Sequence, residues 1–148
     1  MSFRISKSLK HVPLPIVGHT LAHIANDYLI TLVFASPGGL QSQLRFWFEV
    51  ILSWPDGNSE VLVATRPGPT FDREVAYEAL SPLLEKVVAV AFAHADGRLE
   101  INFDEGTTIQ VHPDNYEAWH FQQPAPGSLK PPHYPRGISL TGYGGGLI

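Results

Sequence analysis

Seven histidines, fourteen carboxylates and no cysteine are what this 148-residue chain offers to chemistry. His19 and His23 stand four apart, a spacing that would put two imidazoles on one face of a helix and let them share a metal. Val17, Thr20 and Ile24 around them read as strand instead, and no third ligand is at hand, so structural histidines and no bound metal are expected. His112 and His120 flank Tyr116-Glu117-Ala118-Trp119. With Glu117 or Asp114 they could form an acid/base pair, but strand alternation sets them on a polar sheet face. The missing cysteines remove thiolate nucleophiles, thiolate metal sites and any disulfide framework. There is no Gly-x-Ser-x-Gly elbow. The run Gly142-Tyr143-Gly144-Gly145-Gly146 follows no strand-to-helix unit with a lysine, so it is no phosphate loop. No cofactor is expected.

The carboxylates are placed unevenly. All fourteen fall between Asp27 and Glu117, where five bases leave a local net charge of −9. Six of them, Asp96, Glu100, Asp104, Glu105, Asp114 and Glu117, lie within 22 residues that hold Arg98 as the one base. Such a surface disfavours nucleic acid, whose affinity comes mostly from phosphate neutralisation. It suits a basic protein partner, although mild acidity also keeps a protein soluble. No apolar run reaches membrane-span length. Met1 to His11 carries Arg4, Lys7 and Lys10 without the apolar stretch of a secretory signal. Residues 1–12 are therefore expected to form a mobile basic tail, and the chain is expected in the reducing cytoplasm.

The elements that must position these groups centre on Val87 to Gln122. Val87 to Ala93 is apolar on both pleat faces and reads as a doubly covered strand. Asp96-Gly97 marks a hairpin. Leu99, Ile101 and Phe103, then Ile109 and Val111, then Trp119 and Phe121, supply the buried positions of the next three strands, giving a four-stranded meander. Earlier in the chain, a hairpin is expected over Thr20–Ala35, and Leu44 to Trp54 reads as one long strand returning through Pro55-Asp56-Gly57-Asn58 to Glu60–Thr65. The apolar spacing Val75, Ala76, Ala79, Leu80, Leu83 predicts one helix over Arg73–Leu80, with Asp72 as N-cap. Ser81 would cap, and Pro82 open, a short continuation to about Lys86. Five prolines between Gln123 and Arg136 predict an extended arm.

On Val17-Gly18, Leu80-Ser81-Pro82-Leu83-Leu84, Asp96 to Thr107, Tyr116-Glu117-Ala118-Trp119 and Gly144 to Gly146, the chain resembles a family of small, uncharacterised bacterial domains. The likeness runs from about Ile16 to Ile148, and the Gly-Thr to Tyr-Glu-Ala-Trp block is its specific part. The resemblance implies no catalytic set. It does imply a role like that of candidate immunity proteins of toxin systems, among which similar domains occur.

The expectation is thus a single α+β domain over residues 13–148: one largely antiparallel, twisted sheet of about seven or eight strands with the helix packed on one face. Its expected role is non-enzymatic binding, with Asp96, Glu100, Asp104, Glu105, Asp114 and Glu117 facing a basic protein. The alternative is a small-molecule or enzymatic site between helix and sheet near His112 and His120. If the face of Trp47 and Ile51 needs cover, a homodimer is one way to provide it.

Overall fold

The computed structural model describes residues 11–26, 30–46, 49–63, 73–112, 117–124, 138–143 and 146–148. Its strands are β1 (His11–Pro13), β2 (Thr20–Asn26), β3 (Ile30–Ala35), β4 (Gln41–Phe46), β5 (Glu49–Ser53) and β6 (Ser59–Val63). After helix α1 (Arg73–Leu80) and a 3-10 turn (Ser81–Leu83) come β7 (Val88–His94), β8 (Leu99–Phe103), β9 (Thr108–Val111), β10 (Glu117–Gln123), β11 (Ile138–Tyr143) and β12 (Gly146–Leu147). They form two six-stranded sheets with antiparallel pairing. The first runs β1-β7-β8-β9-β5-β6 and the second β12-β11-β10-β4-β3-β2.

Period-2 alternation gives each sheet one buried face. Leu99, Ile101, Phe103, Ile109, Val111, Val50 and Leu52 come from the first sheet. Ile30, Leu32, Phe34, Leu44, Phe46, Trp119 and Phe121 come from the second, and the two sets belong to one continuous core. The expected burial of Trp119, Phe121 and Leu83 is observed. Backbone hydrogen bonds join the sheets at one border: Gly18 N–H to Val88 O, Val88 N–H to His19 O, and Leu21 N–H to Lys86 O. Within the second sheet, Gln123 donates to the Pro15 carbonyl and the Ser42 hydroxyl, tying the entry segment to β4 and β10.

One expected sheet is therefore two, with twelve strands among the described residues. The long strand Leu44–Trp54 is divided into β4 and β5, which belong to different sheets. The alternation misled because Leu44, Phe46, Val50 and Leu52 keep pointing into the shared core on both sides of the crossing. The meander has three strands, not four. β10 leaves it, and Trp119 pairs with Phe46 of β4 and Gly142 of β11. Nor is β7 covered on both faces: a register shift between Val88 and Val90 leaves Ala89 exposed and Val90 43% exposed.

Helix α1 spans the expected residues. Its main strand neighbour is β2, the border strand of the second sheet. The 3-10 turn begins as expected around Pro82, but the Ser81 hydroxyl donates backwards to the Glu78 carbonyl and caps nothing. Asp72, Trp47, the basic tail up to Lys10 and most of the proline-rich arm lie outside the described residues.

Candidate functional site

Three hairpins of the first sheet are built on one device. In the turns at Pro55-Asp56-Gly57, Ala95-Asp96-Gly97 and Asp104-Glu105-Gly106, the last glycine has φ of +92°, +99° and +107°. Three-residue hairpin loops require that left-handed position, which glycine adopts without steric cost. The acid in the middle of each loop accepts the backbone N–H two residues on. Asp56 accepts from Asn58 at 2.9 Å, Asp96 from Arg98 at 3.1 Å, and Glu105 from Thr107 at 2.8 Å. Side-chain to backbone closure of this kind is why short acids recur in turns. Replacing Asp56, Asp96 or Glu105 by alanine should each cost about 0.5–1.5 kcal/mol, the net worth of one hydrogen bond, measured by urea denaturation.

The caps also locate the charge. Gly106 lies against the Pro55 ring, so the β8–β9 and β5–β6 turns are neighbours at one end of the sheet. Asp56, Asp104 and Glu105 therefore share that end, and Glu60 at the start of β6 adjoins it; all are exposed. The Asp104 and Glu60 side chains make no hydrogen bond or ion pair with the described residues. Asp96 sits at the opposite end of β8, roughly 20 Å away by strand rise. There Arg98 pairs with it at 2.9 Å. Burial alone would raise the Asp96 carboxyl, but the Arg98 N–H and guanidinium outweigh it and hold the group below its ordinary 3.8. A depressed carboxyl stabilises fully above its unfolded value and ceases to as pH falls through the folded one. The stability gap between the wild type and Asp96→Asn should therefore close below pH 3.8.

Glu100 is mid-strand on β8, half-buried, and accepts a hydrogen bond from Gln110 at 2.9 Å. Because β8 is third in its sheet, the six acids do not line an edge. Asp114 lies outside the described residues, and Glu117 opens β10 in the other sheet, its side chain not described. Asp56 and Glu60 join this acidic end although they lie outside the acid-rich stretch of the sequence. The Asp-Gly-Asn turn signal was visible, but only the pairing of β5 with β9 brings that turn beside Asp104.

The histidines are spread over the fold. His112 is exposed at the end of β9 in the first sheet. His120 is on the outer face of β10 in the second, its Nδ1 2.8 Å from Thr141 Oγ1. The main strand contact of α1 is with β2, three strands from β10 in the second sheet. His23 is exposed on β2. His19 precedes that strand with Nδ1 buried and unbonded, and burial pushes its imidazole below 6.5. Among the described residues, no group of three or more His, Cys, Asp or Glu could hold a metal ion, and no helix is long and apolar enough to cross a membrane.

Residues 12–129 match the model of a family described as a family of unknown function, DUF6188. No curated protein and no solved structure matches the chain.

Proposed function

The chain belongs to the DUF6188 family of unknown function, and for this member we propose a non-enzymatic binding role in which the acidic end of the first sheet docks a basic protein. One observation carries the reading: charge is segregated between the sheets. The first sheet's strands and its three hairpin turns hold Glu49, Asp56, Glu60, Asp96, Glu100, Asp104 and Glu105 against Arg98 alone, and Arg98 is spent on Asp96. The second sheet's strands hold two ionised residues, Glu117 and Arg45. A one-sided field of this kind orients a basic partner before contact and accelerates its encounter.

The concrete form we propose is immunity-type: the partner is a basic toxin, and binding blocks its working surface by bulk. The two turns at the acidic end are braced by Asp56 and Glu105, so it meets its partner with little ordering cost. The test is side selection. A partner recovered from the native host should lose binding to Asp104→Lys/Glu60→Lys at least tenfold, while Arg45→Glu on the second sheet should bind like wild type. Equal binding by all three proteins would contradict the assignment of the face.

A further inference from the structure

The outer face of the first sheet carries a pair of histidines whose chemistry the binding role leaves unused. His11 on β1 and His94 on β7 are register partners. Leu14 N–H donates to Ala91 O in the same register, while His94 N–H is turned the other way, to Arg98 O. Ladder bonds fall on every second position, so His11 and His94 occupy a non-hydrogen-bonded pair. In pairs of that type the Cα atoms are only about 4.5 Å apart and the side chains are closest. Both side chains are on the outer face, because the neighbouring Val12 and Ala93 turn to the core. The Phe92 ring meets both imidazoles edge to face, His11 at 5.4 Å and His94 at 4.9 Å between centroids. Apart from those ring contacts, neither imidazole makes a hydrogen bond or ion pair with the described residues. His11 is exposed and His94 half-buried.

We propose that His11 and His94 chelate a divalent transition-metal ion of tetragonal preference, copper(II) before nickel(II), with water in the remaining positions. A neutral imidazole keeps a lone pair on one ring nitrogen, and two imidazoles presented from opposed residues can close on a single ion. Two protein ligands fall short of the four of a structural zinc site and the three of a catalytic one. Two nitrogens completed by water oxygens suit copper(II) and nickel(II), and copper(II) heads the order of affinity. The contacts with Phe92 restrict both imidazoles, so less freedom is lost on chelation. The surrounding charge also favours a cation. Arg98, opposite His94 on β8, is neutralised by Asp96 at 2.9 Å, and Glu100, opposite Phe92, leaves a carboxylate in excess.

The experiment is a titration of the full chain with copper(II), nickel(II) and zinc(II) chlorides, followed by NMR. Copper(II) is paramagnetic and broadens the signals of nearby nuclei. The first equivalent should broaden residues 11–13 and 92–94 before those at 23 or 112. His11→Ala and His94→Ala should each weaken copper(II) binding at least about tenfold, a loss that even an outer partner of a metal ligand can cause. The double variant should lose little more, because one imidazole alone does not chelate. His11→Ala changes only a short border strand, and it carries the test if the variant at 94 proves unfolded. Broadening that begins at other histidines, or that persists unchanged in the folded variants, overturns the site. Zinc(II) bound as tightly as copper(II) overturns the tetragonal assignment. Neither result bears on the acidic end, which is at the other end of β8.

Discussion

Trp119→Ala should destabilise the fold by about 3–5 kcal/mol, the range for truncating a large aromatic in a packed core. Trp119 is fully buried on β10 between Phe46 of β4 and Gly142 of β11. Its indole N–H donates to the Gly97 carbonyl at 2.8 Å, and Gly97 belongs to the β7–β8 turn of the opposite sheet. One side chain thus fills the core and joins the two layers, and its loss leaves that carbonyl unpaired as well. Trp119→Phe keeps a ring but not the donor and should cost less. Urea denaturation of both variants measures the effect; an unchanged midpoint for the alanine variant would show that the indole is not where the core needs it.

The second large effect comes from the opposite partner. Gly142 is directly across from Trp119, and a Cβ added there would overlap the indole at Nε1 and Cε2. Gly142→Ala should therefore push the indole off its rotamer and away from Gly97, costing about 1–3 kcal/mol as overpacking does. The cycle with Trp119→Ala distinguishes this from a backbone effect. Without the indole there is nothing to collide with, so the alanine at 142 should become nearly neutral, giving a coupling of about 1 kcal/mol or more. Additive costs would mean that the glycine serves the strand and not the tryptophan.

Local features were legible where one residue's chemistry decides them. The Asp-Gly turns, the burial of Leu99, Ile101 and Phe103, and the helix Arg73–Leu80 all follow from short-range pattern. The division into two sheets was not, because alternation records which side of a strand is buried and not which sheet buries it. Leu44, Phe46, Val50 and Leu52 share one inward parity although they belong to β4 and β5 of different sheets. The same blindness hid the acidic end. Asp56 and Glu60 are far from Asp104 in sequence, and the β5–β9 pairing alone makes them neighbours.

The measurement that bears most directly on the binding role is the association rate of the partner, followed by stopped flow at low and high salt. Wild type is compared with Asp104→Lys/Glu60→Lys, which reverses two exposed charges whose side chains make no described hydrogen bond. Glu105 is left in place because it braces its turn. Exposed substitutions of this kind usually change stability by within about 0.5 kcal/mol, so the comparison reports on the encounter. At low salt the variant should associate at least tenfold more slowly than wild type, and at high salt, where exposed charges are screened, the two rates should converge. Equal rates at low salt would contradict docking through the acidic end.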